Sequence, residues 1–440
     1  MVERLWSIFR IDELSELARL TKFVQRNSKL CVEKFLDILF KDASGKRGMS
    51  LLDYSNELLS VHGVSISAQG IDERFNDYAV QFLRRLVSLV FSRQLSCPFE
   101  PSFLNGYQSV RIWDSTKIEL PSGMAVDFPG FGGGASSAGI SIQYRYDLKN
   151  NAGSSLEVYP ATYSDTWFTE EAPVDKNSLE IFDLGYVNAD FLKRLDEGAS
   201  AYVCRLHAQA DLYNLQGEKY DLEKTYRWMR LYHIPVHSVM VLVGQKRLPS
   251  RLVITLVDEQ TYQNRLKKLQ KEAAKKGWTL SKQYKLRIRM NLMLTNTNSE
   301  VIPDEKVYML YKFRWQIELI FKSWKSSGWH LENIKEVKYE RYMCILYAKL
   351  LMIILSDRIY AVIAQERYQR EGKILSKGKC TKTLCEQIQW IRKLINASTD
   401  TIYLILDKFA RLFARGHDLA RRKNRINYQD LFNIFIDKSE

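Results

Sequence analysis

The period of the hydrophobic pattern changes twice along these 440 residues. In the first stretch apolar side chains recur at helical spacing, as in Phe35, Ile38, Leu39 and again in Phe82, Leu83, Leu86, Leu89, Val90. From Ser109 the spacing becomes strand-like: Ser109–Trp113, Ile140–Tyr146, Leu156–Tyr159, Leu179–Phe182 and Ala201–Leu206. Asn150, Asn151 and Gly153 predict a turn, so the first three segments read as an antiparallel meander. A helix is expected from Asn188 to Leu195. After Pro303 the helical period returns and holds to the end. Strands that first pair locally and then alternate with helices predict a mixed α/β sheet. The texture divides the chain into helical residues 1–100, an α/β part 101–206, a β-rich stretch 207–299, a second part 300–365 and a helical region 366–440. In the β-rich stretch, Val239–Val243, Leu252–Val257 and Lys285–Leu294 read as strands around a charged run, Gln263–Lys276.

Charge says what such a chain meets. Lys and Arg number 65 against 51 Asp and Glu, a net charge of +14. Excess positive charge speaks to partners rather than fold, and a polyanion, nucleic acid before an anionic membrane, comes first. Hydrophobic residues at 46% exclude a disordered chain. Cys344–Leu355, the longest apolar run, is short and broken by Lys349, whereas a membrane span needs about 20 apolar residues. The first ten residues carry Glu3 and Arg4 and no apolar signal core, so a cytoplasmic protein is expected. Six scattered cysteines fit reduced thiols, and Cys380 and Cys385 lack the histidine or second pair that a zinc site needs.

The densest chemistry lies in Tyr308–Lys325, read as one amphipathic helix. At about 100° per residue, with Arg314 at zero, Lys325 falls near 20°, Glu318 near 40° and Tyr311 near 60°. Leu310, Phe313, Ile317, Ile320, Phe321 and Trp324 gather on the other side. One carboxylate thus shares a narrow stripe with two cations and a phenol. On an ordinary helix Arg314 and Glu318 would be a solvated salt bridge worth a few tenths of a kcal/mol. Two aspartates elsewhere change that reading: Asp114 in Ile-Trp-Asp-Ser-Thr and Asp183 in Ile-Phe-Asp-Leu-Gly-Tyr, each at the end of a strand-like run. Taken singly they are a cap and a turn residue. Together with Glu318 they are three carboxylates able to hold two hard cations. Mg²⁺ takes oxygen ligands and completes its shell with waters and phosphates. Two such ions about 3.5–4 Å apart stabilise both oxygens of a phosphoryl transfer.

The spacing of Tyr311, Arg314, Glu318 and Lys325 resembles the Tyr-Arg-Glu-Lys signature of one subgroup of the DDE transposases of bacterial insertion sequences. Asp114 in Asp-Ser-Thr and Asp183 in Asp-Leu-Gly-Tyr resemble that family's two acidic motifs, and the likeness covers roughly 109 to 335 in patches. The resemblance implies an RNase H-like mixed sheet interrupted by a β-rich insertion and flanked by helical N- and C-terminal regions, the N-terminal one reading transposon ends. It implies Asp114, Asp183 and Glu318 as catalytic metal ligands for Mg²⁺, with Mn²⁺ as a substitute. Tyr311, Arg314 and Lys325 would contact DNA phosphates. The partner would be double-stranded DNA, inverted-repeat ends and target alike, held by a homodimer. The implied chemistry is cleavage by water, then attack of the freed 3′-hydroxyl on target DNA; many members of the subgroup pass through a hairpin. An insertion is also required independently. Asp183 and Glu318 stand 135 positions apart, far beyond the length of a simple connection.

One position departs from the family. Leu292–Thr295 resembles the strand that closes the insertion, where some hairpin-forming relatives place a base-stacking Trp just before it; here that position is Asn291. Base–aromatic stacking is worth about 1–3 kcal/mol, so Asn291 forfeits it unless Trp278 or another aromatic substitutes. On a continuous strand Lys285, Arg287 and Arg289 would form a basic ridge fit for a DNA backbone. Arg421, Arg422, Lys423 and Arg425 form a basic tail. Two rivals share these residues: a two-metal nuclease or resolvase that cuts without joining, and an inactive DNA-binding descendant. Glu318 argues against the second rival, because a protein that only binds has no use for it.

Overall fold

A computed structural model describes residues 9–26, 28–44, 48–92, 104, 106–149, 152–206, 210–326, 329–332 and 335–419. The basic tail Arg421–Arg425 and the turn residues Asn150 and Asn151 lie outside them. Nine strands fall within the described residues: β1 Ser109–Leu120, β2 Ala138–Asp147, β3 Ala152–Pro160, β4 Ser178–Phe182, β5 Ala201–Arg205, β6 Leu212–Tyr213, β7 Val236–Val243, β8 Leu248–Leu256 and β9 Met290–Thr295. The α/β class expected from the sequence is what forms. The chain divides into two compact units. The described residues of one fall in Met1–Phe99, Ser115–Tyr163 and Glu318–Arg425, and those of the other in Glu100–Asp114 and Ser164–Ile317.

The first unit is mostly helical. Its axis is the helix Tyr339–Glu371, buried on nearly every side through Leu346, Leu350, Ile354 and their neighbours. A helix apolar all round belongs inside a protein. Val32–Ser44 and Asp77–Ser92 pack against it. Leu51–His62 opens with a capping box, in which Ser50 and Asp53 satisfy each other's backbone N–H, and closes at Gly63, whose φ of +64° suits glycine. The unit also holds the antiparallel hairpin β2–β3, from Ile140 opposite Pro160 to Asp147 opposite Ala152.

The second unit is built on a sheet in the order β1-β4-β5-β9-β8-β7-β6. β1, β4 and β5 are parallel; β5–β9, β9–β8, β8–β7 and β7–β6 are antiparallel. β6, β7 and β8, all from the long stretch between Asp183 and Glu318, therefore continue the same sheet through β9. One face of β1–β4 carries Trp113 and Phe182 into a cluster with Phe168, Tyr186 and Phe191. Such aromatic pairs add about 0.5–1.5 kcal/mol each beyond the area they bury.

Two elements differ from expectation. Lys285–Leu294 is not one strand: Lys282–Arg287 is a helix and only Met290–Thr295 is extended. Ser281 caps the Tyr284 N–H, and Lys, Gln, Leu and Arg favour a helix once it is nucleated. Alternating charge is thus overruled by a cap. Likewise Tyr308–Lys325 is two helices, Asp304–Lys312 and Trp315–Ser326. At the joint the Phe313 and Arg314 N–H groups donate to Leu310 and Tyr311, three residues back, in a tightened turn.

Candidate active site

Strand register brings the two aspartates together. Ser109 through Trp113 lie opposite Ser178 through Phe182 in parallel. Asp114 and Asp183 are each the next residue along, on strands about 4.8 Å apart. β4 ends at Phe182, while β1 runs on to Leu120, so Asp114 is a mid-strand residue rather than a strand end. Because side chains alternate, both aspartates point to the face opposite Trp113 and Phe182.

Helix Asp304–Lys312 and the tightened turn after it supply their partners. The Tyr311 hydroxyl donates to Asp183 Oδ1 at 2.7 Å. The Arg314 guanidinium donates to Asp114 Oδ2 at 2.6 Å and reaches Asp183 Oδ2 at 3.9 Å, so a single cation spans both carboxylates. Burial pushes the Asp183 carboxyl up, but the Tyr311 hydroxyl, Arg314, the Leu184 N–H and Arg205 together outweigh it and hold it below the usual carboxylate value. The Tyr311 phenol is driven well above its ordinary value, first by burial and then by the adjacent Asp183 charge. Asp183 is therefore an anion at neutral pH and Tyr311 a neutral donor.

Residues beyond the site hold the Tyr311 helix in place. Arg251 on β8 pairs with Asp304 at the start of that helix, and its guanidinium donates to the Thr297 carbonyl at 2.7 Å and the Ile302 carbonyl at 2.8 Å. Ser238 on β7 also donates to Asp304, at 2.7 Å. Beneath the aspartates, buried Glu180 accepts from the Trp113 indole at 2.6 Å and from Arg111 at 3.1 Å. Sequence reasoning passes over both clusters. The available signal for the second is a charge of opposite sign on the core face of each of two neighbouring strands.

Glu318 lies in the first turn of Trp315–Ser326, exposed, and belongs to the first unit. The dry face of that helix forms as expected from Ile317, Ile320, Phe321 and Trp324. Lys325 donates to the Lys117 carbonyl at 2.6 Å and pairs with Glu332 at 3.4 Å. The basic ridge does not form, because Lys285 and Arg287 lie on the short helix and Arg289 in the turn after it. Lys285 is exposed on the short helix. Arg287 donates to the Ala210 carbonyl at 3.1 Å. Arg289 pairs with Glu259 at 3.1 Å and lies over the Tyr262 ring at 3.6 Å. Asn291 is buried and accepts from Arg265 at 2.7 Å, which makes it a structural residue.

Two adjacent carboxylates already bridged by a cation are a donor set that fits a hard divalent ion, since Mg²⁺ commonly takes only one or two carboxylates from protein. Among the described residues no group of three or more His, Cys, Asp or Glu is close enough to hold an ion, so the ready set is the aspartate pair. Among the same residues no helix is long and apolar enough to cross a membrane.

Comparison with known proteins gives a consistent picture. The sequence model described as the transposase DDE domain matches residues 106–355. A transposase for insertion sequence element IS231F of Bacillus thuringiensis subsp. israelensis is 29% identical, the alignment covering 98% of this chain and 94% of the relative. A transposase for insertion sequence element IS1151 of Clostridium perfringens is also 29% identical, over 88% of this chain and 85% of the relative. A putative transposase for insertion sequence element IS4SA of a Synechocystis strain is 23% identical over 51% of this chain and 53% of its own length.

Proposed function

The chain belongs to the DDE transposase family, an enzyme that acts on DNA, and from that premise we propose that it cuts the ends of its own insertion sequence and joins them to target DNA. In the first step water attacks the phosphorus at the element's end. The bond from phosphorus to the 3′ oxygen breaks, and that oxygen leaves as a hydroxyl. In the second step this hydroxyl attacks a target phosphodiester and displaces the target's 3′ oxygen. One ester replaces another, so no external energy source is needed.

The observation that carries the reading is the parallel register of β1 and β4, which sets Asp114 beside Asp183 under Arg314. The family's domain implies dependence on a divalent metal. Asp114 and Asp183 would hold it, as Mg²⁺ or Mn²⁺, with Glu318 the third ligand that the resemblance implies. When bound, the metal would stabilise charge on the attacking and leaving oxygens. Arg314 then has two roles. Without metal it neutralises the aspartates; with substrate, its planar fork suits a phosphate next to the reacting one. Tyr311 keeps Asp183 oriented and ionised. Lys325 would contact a DNA phosphate, as the signature spacing implies. The full Tyr-Arg-Glu-Lys spacing favours the subgroup that forms a hairpin, and joining two ends favours a homodimer on DNA.

The test uses end-labelled DNA carrying the flanking inverted repeats, incubated with wild type or Glu318→Gln, in Mg²⁺ or EDTA. Mg²⁺-dependent cleavage at the repeat boundary that vanishes in the variant, with binding retained, supports the reading. Joined products identify a transposase and nicks alone a nuclease. Equal cutting by the variant removes Glu318 from the site. Binding without cutting by both proteins points to an inactive descendant.

A further inference from the structure

The first unit contains a cavity between the Val32–Ser44 helix, the Gly48–Met49 segment and the start of Tyr339–Glu371. Its apolar wall includes Met49 and Leu346, and its charged lining is Asp42, Lys335, Arg341 and Lys349. It offers ≈ 40 Å³, against the roughly 10–15 Å³ that one buried water needs.

The charges in it do not balance. Arg341 and Lys349 are 9% and 5% exposed, yet neither forms an ion pair among the described residues. Arg341 donates to the Met49 carbonyl at 2.7 Å and its Nε has no partner. Lys349 makes one long hydrogen bond, 3.3 Å to the His330 carbonyl, leaving most of its donor capacity unused. Asp42 spends its oxygens on neutral donors, the Tyr54 hydroxyl at 2.6 Å and the Met49 N–H. Lys335 stands exposed at the rim, donating to Gly48. Three cations thus face one carboxylate that is already engaged. An unpaired buried cation is costly, and removing its counter-charge is among the most destabilising changes a core can suffer. Burial accordingly pushes the Lys349 ammonium below the ordinary lysine value, with Asp42 opposing that shift.

We propose that this cavity is a phosphate-binding site, in which Arg341, Lys349 and Lys335 hold one phosphate group from free phosphate or from a DNA backbone. The Arg341 fork and two ammonium groups supply the convergent donors that a tetrahedral oxyanion accepts, and the site's excess of two positive charges balances the negative charge of hydrogen phosphate. The inference does not draw on the catalytic reading, and its readouts involve no cleavage.

The full-length protein is titrated calorimetrically with inorganic phosphate at constant ionic strength. Wild type is expected to bind saturably, and Lys349→Met to bind at least tenfold more weakly. In phosphate-free buffer Lys349→Met is expected to unfold no earlier than wild type, because it replaces an unpaired buried cation by an apolar chain of similar length. Lys335→Ala, altered only at the exposed rim, serves if Lys349→Met does not fold, and should also weaken binding. Duplex DNA distinguishes the source. If a backbone phosphate occupies the site, the slope of log affinity against log salt falls by about 0.9 in either variant; if free phosphate does, the slope is unchanged while calorimetric binding persists in wild type. No saturable phosphate binding together with an unchanged slope overturns the proposal, as does phosphate binding equal in wild type and both variants.

Discussion

At the scale of single residues, four side chains do three kinds of work around one pair of carboxylates. On the proposed reading Asp114 and Asp183 would give oxygens to the metal, while Arg314 bridges them and the neutral Tyr311 hydroxyl holds Asp183 in place. Their substitutions should therefore separate. A metal at a phosphoryl site supplies several kcal/mol of transition-state stabilisation, and each ~1.4 kcal/mol is tenfold in rate. Asp114→Asn and Asp183→Asn are thus expected to lose more than about a hundredfold in cleavage while DNA affinity changes little. Tyr311→Phe deletes only an orienting hydrogen bond, and the loss expected for such a partner is about 10–100-fold. Single-turnover cleavage of labelled ends by the three variants checks the order, and a Tyr311→Phe protein as dead as Asp183→Asn would show that the phenol does more than orient. What the sequence displays here is two aspartates, each after an apolar run. It does not display the register that puts them side by side, because register depends on how β1 and β4 pair across the residues between them. The Glu180–Arg111 pair beneath them is hidden for the same reason.

At the scale of elements, the anchors are long-range polar contacts at helix ends. Arg251 fixes the start of the Tyr311 helix through Asp304 and two carbonyls. Arg251→Met leaves Asp304 with only the Ser238 hydroxyl and those carbonyls without their donor, which at about 1–3 kcal/mol per abandoned group should lower the denaturant midpoint and also slow cleavage, since Tyr311 is carried on that helix. A variant of unchanged stability and activity would remove Arg251 from this role. Asp37 is the corresponding anchor in the helical unit. Its carboxylate receives two bonds from Arg392, at 2.8 and 2.6 Å, across 355 residues, and lies 2.9 Å from His62. Burial alone would raise the Asp37 pKa, but Arg392 and His62 outweigh it and the net shift is downward. A carboxyl depressed in the folded state stabilises it above its unfolded value, and that stability is lost as pH falls through the folded value. The stability gap between wild type and Asp37→Asn, expected at about 1–3 kcal/mol near neutrality, should therefore shrink below roughly pH 4. Urea midpoints of both proteins at pH 7 and pH 3 test this; a gap that is constant or widens in acid contradicts it. Helical period, strand alternation and caps are local, and the elements they govern, such as β4, β5 and the Ala189–Glu197 helix, form where the sequence points. The short Lys282–Arg287 helix and the joint at Phe313–Arg314 do not follow the pattern. In the first a serine cap competes with alternation and wins, and in the second hydrogen bonds tighten to three residues without glycine or proline to announce it.

At the scale of the whole molecule, the net charge of +14 acquires its meaning from the partner. Several arginines that look available in the sequence are taken up by the protein itself: Arg289 by Glu259, Arg392 by Asp37, Arg251 by Asp304. Counting basic residues therefore overstates the surface that can meet DNA, and the number of phosphates contacted must be measured. Each phosphate contact on duplex DNA contributes about 0.9 to the negative slope of log affinity against log salt. A transposase gripping an end through roughly 6–10 phosphates should lose about 10³–10⁵ in affinity between 50 and 200 mM salt. The same titration with Arg289→Ala tests whether that side chain is committed internally. If Arg289 stays with Glu259 and Tyr262, the slope is unchanged and only stability falls. A slope smaller by about 0.9 would mean instead that DNA draws the guanidinium away from Glu259, and that the insertion touches the backbone despite the broken ridge. The competition is close enough to be decided by measurement, because an exposed ion pair is worth only about 0.2–1 kcal/mol and a phosphate contact can match it.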